Sequence, residues 1–331
     1  MKKSLSILLL LSSYIFAQSY DASEIFMFFG RQPSAKTEAM GRILTLNYDS
    51  NFLTQSNPAA LVYSKGSKIF FSHSSHVNPT DNSGGVSYNT NSIGAFAFNI
   101  QSIDWGGNIP TDKLYTFTYS NELNDWFSYG INANLFEKKY YGSTQSNTFF
   151  EIGILREFKL FQNTQIKDIL LIGTQMKNIF NQKRMNSFGS TNYFPSIFRV
   201  GVSNVVEYTN ERIYDKSHLI GFTSGFEYQD LFNSDSRTAY KFGGELSLLD
   251  IIYLRIGYYS ETLRENSYWN KNLEEFTYGF GFNFNLEHYL NSYLPLSIRF
   301  DYVSLPVPSY KIINYRDQDF NTFNLIINYG F

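Results

Sequence analysis

The sequence predicts an all-β protein: a transmembrane antiparallel β-barrel of about fourteen strands with a small N-terminal hatch or plug containing a short helix. Three observations carry that expectation. Most of the chain alternates apolar and polar residues with a period of two, in segments separated by turn residues. Aromatic residues make up 18% of the chain, with 32 Phe and 26 Tyr, yet mean hydropathy is only -0.26. The chain ends on an apolar alternation with aromatic residues at its close, Phe323, Leu325, Ile327, Tyr329 and Phe331 against Asn324, Ile326, Asn328 and Gly330. Chain ends are usually polar and frayed, so this terminus needs a paired neighbour and an apolar medium to face.

Composition narrows the function classes. The formal net charge is -2, which gives no electrostatic basis for binding nucleic acid. Cysteine is absent, which removes disulfides, thiol catalysis, Cys-based metal sites and a Cys-linked lipid anchor. No cofactor motif is present. Past residue 17 no stretch approaches the ~18–20 apolar residues of a spanning helix, so a membrane role requires a closed barrel.

Residues 1–17 have the form of a secretory leader: Lys2 and Lys3, an apolar centre from Ile7 to Leu11, and a cleavage point after Ala17. Residues 18–65 form the hatch segment. It holds an apolar knot at Ile25–Phe29, the run Ile43-Leu44-Thr45-Leu46, and a short helix expected over 51–55 after Asp49 or Ser50. Asn57-Pro58-Ala59 is a helix start, with Asn57 as N-cap and Pro58 at the first helical position, where a missing N–H costs nothing.

Residues 66–331 form the barrel. Strands are expected near 67–77, 83–90, 92–104, 112–121, 125–140, 145–158, 167–180, 193–208, 216–230, 237–249, 251–262, 273–286, 292–304 and 320–331. The clearest sets Phe276, Tyr278, Phe280, Phe282 and Phe284 against Thr277, Gly279, Gly281, Asn283 and Asn285. Five aromatics on one face are an aggregation hazard in water and are at home against lipid. The charges Arg199, Glu245, Arg255, Arg299 and Asp301 fall on the non-aromatic faces, so they are candidate lumen residues that pair across the interior or form a charged constriction. The long connections Gln182–Thr191, Thr209–Lys216, Leu263–Asn272 and Pro306–Asp319 carry much of the remaining charge and are expected outside the cell, as partner surfaces.

Nothing points to an enzyme. His73 and His76 are three apart, which puts them on opposite faces of a strand and excludes a chelating pair. His218 and His288 have no carboxylate neighbour that suggests a triad. Gly84-Gly85 is a turn signal without the following helix that phosphate binding needs.

Several phrases resemble a known family. Ala39-Met40-Gly41, Tyr48-Asp49-Ser50 and Ser56-Asn57-Pro58-Ala59-Ala60-Leu61 resemble the opening of the PorV/PorQ family, which is related to the FadL-type channels. The segments Asn82–Tyr88 with Ile93–Phe98, Asp104-Trp105-Gly106, Gly173–Asn178, Leu254–Tyr258, Tyr278–Gly281 and Arg299–Tyr302 are similar to its later strands in the same order. Arg42 stands where a second Gly is usual, Ala60 where the motif has Gly, and the acidic pair is reduced to Asp49. The resemblance implies an outer-membrane barrel of fourteen strands with a hatch. The PorV/PorQ branch implies a role in type IX secretion or surface attachment, with secretion components or cargo as partners. The FadL branch implies passage of a hydrophobic small molecule through the barrel wall or hatch. Tyr329 and Phe331 resemble the C-terminal aromatic signal of outer-membrane barrels, which implies the barrel assembly machinery and outer-membrane lipid as partners. Deleting Phe331 should lower the amount of protein assembled in the membrane. Immunoblots of outer-membrane fractions check this, and a normal level contradicts the assembly role.

Overall fold

The computed structural model describes residues 34–45, 56–75, 80–90, 92–104, 111–124, 127–140, 143–179, 184–185, 191–192, 196–209, 218–232, 238–262, 273–286, 295–305 and 320–330. A five-residue helix α1 (Ala35–Ala39) and a 3-10 helix (Pro58–Tyr63) come first. Then follow β1 (Ser67–Ser75), β2 (Thr80–Asn89), β3 (Ala95–Asp104), β4 (Asp112–Asn124), β5 (Phe127–Tyr140), β6 (Ser143–Gln162) and β7 (Ile166–Ile179). The pair β8 (Arg184–Met185) and β9 (Thr191–Asn192) forms a separate two-stranded ribbon. The chain continues through β10 (Ser196–Thr209), β11 (His218–Phe232), β12 (Thr238–Leu248), β13 (Ile252–Thr262), β14 (Leu273–Asn285), β15 (Leu296–Leu305) and β16 (Phe320–Tyr329).

Apart from the β8–β9 ribbon, each strand pairs antiparallel with the strands before and after it, and β16 returns to β1, so fourteen strands close a barrel without an edge. The closing ladder runs from Ser67 opposite Tyr329 to Ser75 opposite Asn321. Side-chain alternation sorts the residues as a bilayer requires. On β14, Phe276 and Tyr278 are 67% and 60% exposed, whereas Thr277 between them is fully buried. On β13, Leu254 and Ile256 face out while Tyr253, Arg255 and Tyr259 face in. A continuous apolar outer face of this kind fits lipid rather than water. Tyr329 faces out at the end of β16; Phe331 lies outside the described residues.

Two expectations are corrected by the topology. Strand direction alternates, so the connections after β7, β13 and β15 share one end of the barrel. The connection after β10 (Thr209–Lys216) lies at the opposite end, with the start of β1 and the end of β16. Loop length suggested one side for all four, but strand parity decides the end. Gly84 and Gly85 are not a turn: they sit in the middle of β2, paired with Phe71 and Phe70 of β1. The ladder hydrogen bonds hold the two glycines in extended pairing despite their turn propensity.

The segment before β1 lies inside. The α1 helix was not specified in the sequence, although Ser34 followed by Ala-Lys-Thr-Glu-Ala is a capped start. Ser34 Oγ accepts from Thr37 N–H at 3.2 Å. The helix packs on β13–β16, and the 3-10 helix packs on β3–β6, so the segment spans the lumen between two walls. The helix expected over 51–55 lies outside the described residues, as do the knot at 25–29 and residues 1–17.

Glycines on the inner wall let the hatch backbone lie directly on the strands. A Cβ on Gly257 would fall 1.9 Å from Gly41 N, and one on Gly243 would fall 2.3 Å from Met40 O. On the other wall, a Cβ on Gly130 would fall 2.3 Å from the Pro58 carbonyl carbon. Gly41 itself has φ +68 and a Cβ position 2.3 Å from Phe242 O, so the position admits only glycine. Arg42 follows at φ 64, a left-handed conformation that costs a side-chain-bearing residue about 1–2 kcal/mol. It is held there by Glu38 at 2.8 Å and by the Tyr259 ring at 4.3 Å.

Gly257→Val should therefore unseat the hatch and leave the barrel closed. Trypsin cleavage at Lys36 and Arg42 should accelerate, while heat-modifiable migration on SDS gels stays normal. Gly244→Val is the control, because a Cβ there meets only Thr223 O at 3.7 Å.

Candidate functional site: a hatch latched across the barrel

Three sets of side chains fasten the hatch to the wall. At the first, Asn57 acts as a hub. Its Oδ1 caps the 3-10 helix by accepting from Ala59 N–H at 3.1 Å. Its Nδ2 donates to Thr45 O (3.2 Å), Ile154 O (3.0 Å) and Thr174 O (3.2 Å), joining two hatch segments to β6 and β7. Pro58 occupies the first position of the helix. Ala59 O accepts from Ser120 Oγ of β4 at 3.1 Å. Asn57, Pro58 and Ala59 are all buried. Gly153 makes room for this arrangement, since a Cβ there would lie 1.8 Å from Asn57 Oδ1.

The second latch is Glu227 of β11, which is fully buried. Its Oε2 accepts from the backbone N–H of Leu44 (2.8 Å) and of Thr45 (2.7 Å), and from the Thr45 hydroxyl. Its Oε1 accepts from Lys241 Nζ at 2.7 Å. Lys241 and Arg199 both donate to Gln229 Oε1 at 2.9 Å, and Arg199 Nη1 donates to Gln175 Oε1 at 3.1 Å. Gln175 in turn donates to Ser56 O of the hatch at 2.8 Å. Lys177 and Glu151 extend the network at 3.2 Å. The carboxylate replaces two hydration partners of a bare loop with charge-assisted bonds, which are stronger than neutral ones.

The third latch holds α1. Thr277 Oγ1 donates to Ala39 O and accepts from Gly41 N–H, both at 3.0 Å. Asn324 Oδ1 accepts from Ala35 N–H. Lys36 Nζ lies 3.1 Å from Glu245 Oε1. Arg255 Nε donates to Glu245 at 2.5 Å, and Arg255 Nη1 lies 2.8 Å from Asp301 Oδ1, a charge contact rather than an aligned hydrogen bond. Arg299 meets Asp301 at 3.1 Å and stacks over Tyr253 at 4.4 Å. Gly281 of β14 permits the reach from β13 to β15: a Cβ there would sit 2.2 Å from Asp301 Oδ1.

Of the residues singled out in the sequence, Glu245, Arg255, Arg299 and Asp301 therefore form one cluster, and Arg199 belongs to another. They do not pair across the lumen. The four pair along one wall, β12 to β15, and with the hatch that occupies the space between walls, whereas Arg199 of β10 pairs with its neighbours on β7 and β11. Glu227, Lys241, Lys36, Thr277 and Asn324 were missed. Glu227 and Lys241 were readable, because each stands between two outward aromatics, Phe226 and Tyr228 or Tyr240 and Phe242. The hatch backbone that Glu227 binds was not. His73 faces outward; the side chains of His76, His218 and His288 lie outside the described residues. No group of His, Cys, Asp and Glu suited to a metal occurs among the described residues.

No protein-family model matches this chain, and no curated protein sequence matches it. Among solved structures, it is similar to a Pseudomonas aeruginosa FadL homologue at 10% identity and TM-score 0.48, over 91% of this chain and 99% of that one. It is similar to the Ralstonia pickettii toluene transporter TbuX at 8% identity and TM-score 0.45, over 92% and 100%. The Pseudomonas putida toluene transporter TodX matches at 10% identity and TM-score 0.43, over 95% and 98%. Likeness this distant carries no argument about activity; the barrel assignment rests on the chain's own strand pairing.

Breaking a buried ion pair from one side leaves a bare charge, at about 3–5 kcal/mol. Glu227→Leu should lower stability by about that amount. Adding Lys241→Met should recover part of the loss. Urea unfolding of the detergent-solubilised barrel measures both; strictly additive losses would show that the two residues do not act as a pair.

Proposed function

We propose that this protein is a gated channel for small hydrophobic molecules in the bacterial outer membrane, reached through a cleaved leader, with the hatch as its gate. One observation carries the reading. The interior contains an apolar lining where a water-filled pore would be polar. Leu155 of β6, Ile169 and Leu171 of β7 and Val205 of β10 face inward and pack with Ile43, Ala60 and Leu61 of the hatch. This lining lies on the β3–β10 side, on the strand halves nearer the chain termini, opposite the charged wall of β12–β15.

The latches suit a gate. A plug meant to stay fixed is held at least as well by apolar packing, because buried ion pairs give back much of their attraction in lost hydration. Carboxylate–amide and ammonium–carboxylate contacts can be exchanged for water one at a time. Releasing Leu44 and Thr45 from Glu227 frees the segment that covers the apolar lining. No catalytic step is part of this reading.

A role in type IX secretion or surface attachment rests on the sequence resemblance alone. The connections at 263–272 and 306–319, which would meet such partners, lie outside the described residues. No structural observation favours it over the channel.

Uptake of N-phenyl-1-naphthylamine, a small apolar dye, should be faster in cells whose outer membrane contains the barrel than in cells without it. Glu227→Leu should accelerate it further. Unchanged dye entry in both cases overturns the reading, and faster entry of a disaccharide with no effect on the dye points to a general porin.

A further inference from the structure

The lipid-facing wall carries a depression of about 780 Å³ over β16, β1, β2 and β3. Its cause is Gly84. On the outer face Gly84 stands between Phe71 of β1 and Ile100 of β3, so one side chain is missing from an otherwise continuous apolar lattice. Phe98, Phe323 and Leu325 complete the flanks.

The upper end of the depression is polar. His73, Asn82 and Ser102 are cross-strand neighbours on β1, β2 and β3, and all three line it. His73 Nδ1 lies 2.8 Å from Asn82 Oδ1, which keeps the Asn82 NH2 as a donor. Lys113 of β4 is the next neighbour in the row, after Ser102, and Glu137 of β5 follows it. Toward the chain termini the outward rows are apolar: Phe71 and Ile100, then Ile69, Val86 and Phe98. In the other direction Ser75, Thr80 and Asp104 are polar. On β1–β3 the His73 row is therefore where the apolar belt gives way to polar residues, as it does toward the headgroups of a bilayer, while Phe323 of β16 flanks it on the other side. From that row to Ile69 is four residues, about 13 Å along the strand, which accommodates much of an acyl chain.

We propose that this groove is a specific site for a phosphate-bearing membrane lipid. One acyl chain lies over Gly84, and the phosphate is held by the donors of Asn82, Ser102 and Lys113, with His73 orienting the Asn82 amide. The shape selects a chain, because an ordinary aromatic or aliphatic residue at position 84 would fill the slot. The row selects the head, because amide, hydroxyl and ammonium groups follow one another along a single cross-strand row at the edge of the apolar belt. The site lies outside the barrel and does not rest on passage through the lumen.

Native mass spectrometry of the full-length barrel in detergent, with phosphatidylglycerol or the matching diacylglycerol added, tests this. The wild type should retain one phosphatidylglycerol and hold diacylglycerol poorly. Gly84→Leu should reduce retention about tenfold or more by occupying the chain slot. A Cβ at position 84 comes closest to Phe71 Cδ1, a side-chain atom at 3.3 Å, and stays 3.5 Å from the Phe70 backbone oxygen, so the barrel should tolerate the change. Asn82→Ala with Lys113→Ala should remove the preference for the phosphate-bearing lipid. Heat-modifiable migration confirms that each variant is folded. Retention unchanged in Gly84→Leu, equal retention of diacylglycerol, or no lipid retained by the wild type each overturns the proposal.

Discussion

A chain that runs through the inside of a membrane barrel brings its own peptide N–H and C=O groups, and each needs a partner there. Much of the inner wall of this protein answers that need. Leu44 and Thr45 N–H meet Glu227, Gly41 N–H meets Thr277, and Ala35 N–H meets Asn324. The carbonyls of Ser56, Ala39 and Ala59 meet Gln175, Thr277 and Ser120 of the wall, and that of Thr45 meets Asn57 within the hatch. For those bonds to form, the two backbones must approach within a side chain's width. The inward glycines of β5, β6, β12 and β13 exist at those contacts.

The same requirement explains where the charge lies. Glu227 serves two adjacent backbone N–H groups, but a buried carboxylate is costly alone, so Lys241 and Arg199 stand beside it. Glu245 fastens Lys36 and is balanced by Arg255, which Asp301 balances in turn. The networks are thus chains of compensation that begin at a hatch contact. They leave the described parts of the hatch bound by polar contacts, with apolar packing under Ile43 and Leu61. Opening and sealing then involve the same few residues, which ties the stability of the closed state to the function proposed for it.

Alternation alone made the barrel legible. Phe276 to Asn285 could be split into a lipid face and a lumen face without any tertiary information, because a strand's side-chain period is two and only one face can meet lipid. The cap at Asn57 and Pro58 was equally local. The misses have one physical character. Glu227 and Lys241 were placed inward by their aromatic neighbours, yet nothing in β11 names the targets of Glu227, Leu44 and Thr45, which are 183 and 182 residues away from it. Gly84-Gly85 carries turn propensity, and a ladder with β1 overrode it.

The sequence by itself determined that the chain forms a closed apolar-faced barrel and which residues point inward, since both follow from local periodicity and from the exclusion of water by lipid. Only the tertiary structure decided what the inward residues bind. It showed that the lumen charges pair along one wall with the hatch instead of across an open pore. It placed the connection after β10 at the terminal end. It also showed that one missing side chain at Gly84 leaves a groove in the outer wall. Each depends on which distant strands become neighbours, and that is set by closure of β16 onto β1.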